Sequence, residues 1–227
     1  MKRIIYFTLC LLLLASCGET KKFTRSENYP KMYEEKPTCI LIMPPINKTV
    51  NVEAKEYFYT SLAMPLCEKG YYTISPFLAM EMFKSESAYD SEMFIEGSLS
   101  KFREVFGADA ALFTIINRWE KSTLGNTITV DIEYFLKSTT NNEILFNRKG
   151  TLTVDLSINS GSGGLLGALV DMAASAIATA STDKVVAARR CNTFSLFDLP
   201  DGKYRNTFGT DQNTPASGKE FKATVKK

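Results

Sequence analysis

The 227-residue chain contains no histidine and a single tryptophan. The missing histidine removes Ser-His-Asp and Cys-His catalysis, histidine zinc sites and the commonest general base together. No Cys-x-x-Cys spacing occurs among the five cysteines, so neither a redox motif nor a structural zinc site is written in the sequence. Catalysis would have to rest on carboxylates, lysine or cysteine alone. Asp131 and Glu133 share one strand face, but the stretch alternates with Ile and Tyr, the pattern of a solvated outer face. Asp90, Glu92 and Glu96 make no better pair.

Long apolar runs are scarce too. The one at the start, Ile4 to Leu14, follows Met1-Lys2-Arg3 and holds no charge. As a helix it rises only about 16 Å, roughly half of a ~30 Å hydrocarbon core, so it cannot span a membrane alone. A positive start, an apolar run and the small residues Ala15-Ser16 have the layout of a signal peptide. Leu14-Ala15-Ser16-Cys17 moreover resembles the bacterial lipobox, in which the thiol is diacylglycerylated, the chain is cut before it and the new amine is acylated. With the signal 1–16 removed, three acyl chains on Cys17 give an essentially permanent anchor, since each buried methylene contributes about 0.8 kcal/mol. This covalent lipid is the one added group expected; no cofactor, no metal site and no catalytic residue is. In lipoproteins with such a signal an acidic residue after the cysteine favours the inner membrane, so Gly18 points to the outer membrane, with the domain facing the periplasm. Loss of Lys2 and Arg3 leaves 25 basic against 25 acidic residues, with no basic stripe to bind nucleic acid.

Composition divides the remainder. Residues 17–37 hold the lipidated cysteine and a polar stretch punctuated by Pro30 and Pro37, which reads as a flexible tether reaching about 25 Å. Residues 38–200 carry the folded domain. Residues 201–227, rich in Gly, Thr, Asn and Lys, are expected to form a poorly ordered tail. Within the domain, Thr38 to Met43 is a short apolar strand, and Ala54, Phe58, Leu62 and Leu66 form a helical face that Pro65 kinks and Gly70 ends. Ile95, Leu99, Phe102 and Phe106 make another stripe, with Gly107 as its cap before the strand from Ala110. From Thr127 the alternation switches to one-sided strands, with a turn at 139–142. The fold predicted is α/β: a single mixed β-sheet with a βαβ start, a C-terminal antiparallel meander and helices packed mainly on one face.

Three features invite functional readings. Pro44-Pro45 cannot continue a central strand, which frees an Ile46 to Asn51 loop in which Asn47 and Thr49 favour a side-chain turn. That loop is either a plain turn or, through Pro44, Pro45 and Asn47, a partner surface. Ser160 to Gly167 lies between a strand and a helix but lacks both Gly-Lys-Ser/Thr and the dinucleotide spacing. Gly163, Gly164 and Gly167 mark instead a flexible connection or a contact with another subunit or partner, ahead of a small-residue helix face at Ala173, Ala176 and Ala180. Cys39, Cys67 and Cys191 read first as three small buried hydrophobes; Cys39, at a strand start, and Cys67, at a helix end, are also candidates for a disulfide, whose geometry spacing alone does not establish.

The segments "MPPINKTVNVEA" (43–54), "MPLCEKGYYTISP" (64–76), "FGADAALF" (106–113), the glycine loop with its alanine-rich helix, and "LPDGKYRNTFGTD" (199–211) together resemble a family of bacterial lipoproteins of unknown function grouped with the ABC-type transport auxiliary lipoproteins. The resemblance implies a fold like the TolB N-terminal domain or the curli-secretion lipoprotein, and a non-catalytic role as an accessory or assembly component of a cell-envelope transport or secretion complex. A regulator of a periplasmic partner such as a peptidoglycan synthase is the alternative. Partners to expect are the outer membrane through the anchor, envelope transport or secretion proteins, and further copies of the chain.

Overall fold

Thr24 starts a capping box in the computed structural model, which describes residues 23–86, 88, 90–122, 127–157 and 183–226. Its hydroxyl accepts the Glu27 N–H at 3.3 Å, and the Glu27 carboxylate accepts the Thr24 N–H at 2.7 Å. Helix α1 (Arg25–Asn28) follows, then α2 (Pro30–Glu35) with proline in its first turn. The tether reading of 17–37 is therefore corrected from residue 23 onward. Tyr29 and Met32 are buried and Tyr33 packs beside them, a three-and-four spacing that anchors an otherwise polar stretch to the core. Residues 1–22, with the signal and Cys17, lie outside the described residues.

Strand β1 (Cys39–Ile42) is short and buried, and β2 (Ile46–Asn47) resumes beside the same neighbour. Between Ile42 and Ile46 the chain advances four residues while its partner advances three, from Leu112 to Ile115. Pro44-Pro45 thus forms a bulge inside the sheet, and the loop expected to be free at an edge is held there. Helices α3 (Ala54–Ser61) and α4 (Ala63–Glu68) come next, then β3 (Tyr72–Thr73) and α5 (Pro76–Ser85). Of the stripe from Ile95 to Phe106 only Phe102 and Phe106 fall in a helix, α6 (Ser100–Phe106): Ile95 follows a 3₁₀ turn (Ser91–Phe94), and Gly97-Ser98 interrupts the helix before Leu99; Gly107, at φ 65°, caps α6. Three twelve-residue strands make the meander: β4 (Ala110–Lys121), β5 (Thr127–Ser138) and β6 (Ile144–Asp155). Residues 183–196 form α7, and β7 (Glu220–Lys226) closes the described chain.

These strands build one mixed sheet of order β3-β1-β4-β5-β6-β7, with β2 also on β4. Alternation sorts the side chains. Ile40, Ile42, Ala110 and Leu112 face the larger core with α2, α3, α4 and α7; Leu41, Met43, Ala111 and Phe113 face a smaller one under α5 and α6. A bulge between Ile116 and Arg118 shifts the phase so that Trp119 stays on the larger core, edge-on to Phe58 at 5.3 Å. The expected fold, with helices mainly on one face, is the fold observed.

Polar groups join helix to sheet where the helix breaks. Pro65 offers no N–H to the preceding turn, and α3 and α4 part at Leu62. Leu62 N bonds to the Tyr59 carbonyl at 3.5 Å, so the Phe58 carbonyl accepts from Asn192 Nδ2 on α7 at 3.0 Å, while Asn192 Oδ1 accepts from Tyr134 Oη on β5 at 2.6 Å. A polar tail over 201–227 is the second correction. Phe221, Ala223 and Val225 pack on the core as β7 pairs parallel to β6 from Lys149↔Glu220 to Asp155↔Lys226. Their period of two sits among lysines and glutamate, which masked it in the composition.

Gly150 makes that pairing possible: a Cβ there would lie 2.0 Å from the Phe221 carbonyl oxygen. Gly150→Ala is expected to push β7 off the sheet, at a cost of about 1–3 kcal/mol. Hydrogen exchange checks it; β7 amides as protected as in the parent would refute the close-approach argument.

Candidate functional site

The N-terminal segment is fastened to the far end of the chain. Arg25 N donates to Thr214 O at 2.9 Å, Ser26 N to Gln212 O at 3.1 Å and Ala216 N to Phe23 O at 2.7 Å. The capping box sets the orientation of α1, and the Arg25 guanidinium enters a group of three buried aspartates. Nη1 lies 2.9 Å from Asp211 Oδ2 and 3.8 Å from Asp201 Oδ1, and Nε is 3.8 Å from Asp198 Oδ1. Lys69 Nζ and Arg205 Nε each approach Asp201 at 3.4 Å. Three cations thus face three anions, the only balance a site this buried tolerates cheaply.

Burial decides the proton affinities. It raises the Asp198 carboxyl above the usual carboxylate range, against the opposing hydrogen bonds from Ser217 N and Tyr29 Oη and the nearby Arg148 and Arg25. It also raises the Tyr29 phenol, with the Asp198 charge adding to the effect, so Tyr29 stays a donor to Asp198 at 3.1 Å. Lys69 is lowered by burial and by Arg25, with Asp201 working against both. The backbone closes around this cluster. Gly202 N donates to Lys69 O at 2.7 Å, and a Cβ on Gly202 would stand 2.5 Å from Gly70 O, so the two chain segments touch as only glycine permits.

Arg148 is the neighbouring anchor. Only 2% exposed, it donates through Nη1 to the carbonyls of Phe194 and Ser195 at 3.0 and 2.9 Å and through Nε to Gly218 O at 3.3 Å. The first two are carbonyls of the last turn of α7, where a cation suits the helix dipole. Phe194, Phe197 and Phe221 surround its guanidinium at 5.7, 5.0 and 5.0 Å from their ring centroids. Beside it Phe197 borders a groove of about 330 Å³ with Arg25, Pro65, Lys69, Thr193 and Arg205.

The residues singled out from sequence lie elsewhere. Pro44 and Pro45 are buried, and Ser91 Oγ donates to the Pro44 carbonyl at 2.6 Å, so their assignment to a partner surface is corrected: they face the interior because the bulge turns them inward. Asn47 is half-buried and engaged in its own turn, accepting from Thr49 N at 3.0 Å and donating to Asn51 O at 2.7 Å. Gly163, Gly164 and Gly167 lie outside the described residues, as does the small-residue helix face. Cys39, Cys67 and Cys191 are free thiols, so the Cys39–Cys67 disulfide is not formed in this structure. Asp131 meets Arg118 at 2.8 Å and Thr151 at 2.5 Å; burial raises its carboxyl, but those hydrogen bonds outweigh it and hold it below the usual range. Arg25, Arg148, Asp198, Asp201 and Asp211 escaped the sequence reading. The one available signal was Asp-Gly within "LPDGKYRNTFGTD", a turn dipeptide in a stretch otherwise read as tail.

A family model described as "Putative lipoprotein GNA1162-like" matches residues 27–207. The chain is 29% identical, over 186 residues covering 81% of it and 85% of the relative, to the "Putative lipoprotein NMB1124/NMB1162" of Neisseria meningitidis serogroup B (strain ATCC BAA-335 / MC58). The crystal structure of lipoprotein GNA1162 from Neisseria meningitidis superposes with a TM-score of 0.48 at 27% identity, over 63% of this chain and 100% of that one. A PelC dodecamer from Paraburkholderia phytofirmans gives 0.40 at 14% identity, over 71% and 86%.

Two outcomes follow from the site. Arg25→Ala leaves buried carboxylates without their cation and is expected to cost about 3–5 kcal/mol, a fall in melting temperature of roughly 10 °C. An unchanged thermal melt would show the cluster to be incidental. Exposed Cys67 should alkylate in the native protein at neutral pH, whereas Cys191, buried and with its thiol pushed up to about 12, should react only on unfolding. Mass spectrometry of iodoacetamide-treated protein reads both, and a bridged Cys39–Cys67 pair would contradict the free-thiol arrangement.

Proposed function

The chain belongs to the family of GNA1162-like lipoproteins, matched over residues 27–207, and on that footing we propose that it is a lipid-anchored outer-membrane protein that acts by binding. It serves as an accessory component of a cell-envelope transport or secretion complex, with its domain in the periplasm, and needs neither cofactor nor metal. Lipidation of Cys17 supplies the anchor. Among the described residues no helix is long and apolar enough to cross a membrane.

The observation that carries this reading is the shortness of the leash. The fold already holds Phe23 and Thr24, through Ala216 and the Thr24–Pro215 bridge, only six residues past Cys17. At full extension those residues reach about 20 Å. A protein working at that distance meets partners that lie in or against the membrane, as envelope transport assemblies do. A regulator that reaches across the periplasm to a peptidoglycan synthase would need the length that residues 23–37 spend in α1 and α2.

Cys17→Ala tests the anchor and the role together. The parent is expected in the outer-membrane fraction, released by detergent alone, and crosslinked in intact cells to permease, ATPase or pore subunits. The variant should be soluble or unprocessed and lose those crosslinks. A variant that stays firmly bound after washing would refute the anchor; capture of a peptidoglycan synthase alone would favour the regulator.

A further inference from the structure

The exit point of the chain restricts which surface of the domain meets the bilayer, an argument that rests on the Cys17 anchor proposed above. Phe23 stands at most about 20 Å from Cys17, and the headgroup layer takes up roughly 5–7 Å of that. The domain is larger than its leash: β4, β5 and β6 have twelve residues each, about 40 Å end to end. It therefore cannot present any face at will. The surface next to Phe23 rides at the headgroups.

That surface has the make-up of an interfacial one. Phe23 is half exposed, and Phe197, whose carbonyl accepts from Arg25 Nη2 at 3.4 Å, keeps 41% of its area in solvent. The adjoining stretch 203–208, tied back through Arg205 and Thr207 to Asp201, exposes Tyr204 and Phe208. Charge there cancels: Arg25, Lys69, Arg205 and the exposed Lys203 stand against Asp198, Asp201, Asp211 and Glu68, the last at the rim of the groove beside Phe197. Aromatic rings settle at the headgroup level of a bilayer, and a surface without excess cations gains nothing from anionic lipid. We infer that the domain lies against the lipid bilayer through Phe197 and the stretch 203–208, by ring insertion at the headgroups and not by charge.

The test uses full-length lipidated protein in phosphatidylcholine vesicles with brominated acyl chains, after mass spectrometry has confirmed the lipid on Cys17. Phe197→Trp reports the proposed surface, and Val105→Trp, an exposed position of α6 behind the sheet, reports the opposite one; buried Trp119 is the common background. The emission added by Phe197→Trp should be largely quenched and that added by Val105→Trp should not, with the same contrast when phosphatidylglycerol is included. Equal, weak quenching at both positions with lipid on Cys17 overturns the docking and leaves the anchor standing. Stronger quenching at Val105→Trp, or quenching that requires phosphatidylglycerol, also overturns the docking as described. Absence of lipid on Cys17 overturns the anchor and the docking with it.

Discussion

The pairing of Arg25 with Asp198, Asp201 and Asp211 is the contact on which the arrangement of the two chain ends depends. Burying a lone charge is costly, and at Asp198 burial raises the proton affinity of the carboxyl. Together with Lys69 and Arg205 the four charges form a neutral group, and the desolvation that each suffers is offset only when all are present. Such a cluster adds less net stability than an apolar core of equal volume, but it specifies one arrangement. An N-terminal segment displaced by a single turn would leave three buried carboxylates without their guanidinium. The segment closest to the membrane anchor is thereby held in one orientation relative to the sheet.

The same logic recurs in the neighbouring Arg148, which among the described residues has no carboxylate at salt-bridge distance. Carbonyls at the end of α7 and at Gly218 take its protons, and three phenylalanine rings cover its faces. One side chain thus joins α7, β6 and the approach to β7. Asn192 does likewise for α3, α7 and β5, using a carbonyl freed by the helix break near Pro65. Arg148 and Asn192 both sit where elements distant in sequence meet, and each has partners from more than one of them. Lipid attachment at Cys17 would then act on a body whose N-terminal edge is rigidly defined, which is what makes a preferred seat on the bilayer physically reasonable.

Local patterns carried much of the architecture. The run from Cys39 to Ile42, the helical spacing of Ala54, Phe58 and Leu62, the cap at Gly107 and the alternation from Ile128 onward each show one period over several residues, and each became the element expected. Composition misled at both ends. Tyr29, Met32 and Tyr33 at one terminus and Phe221, Ala223 and Val225 at the other are few apolar residues among many charges, so an average over the segment reads as solvated chain. Pro44-Pro45 ended a strand as expected, but whether the chain then leaves the sheet or resumes beside β4 depends on room next to Ile115 and Ile116, which no property of the dipeptide encodes.

Sequence alone determined the one-sided meander, the short parallel start, the lack of histidine and the resemblance of Leu14 to Cys17 to a lipobox, because each is a property of adjacent residues or of composition. Only the tertiary structure decided that Arg25 meets aspartates more than 170 residues away, that Arg148 is enclosed by three rings and that the leash past Cys17 is short. A charged residue in a polar stretch is written identically whether it faces water or a buried counter-charge. What distinguishes the two is the position of its partner in space, set by the pairing of β7 with β6 and the close approach of Gly70 and Gly202, and these are contacts between residues that share no local pattern.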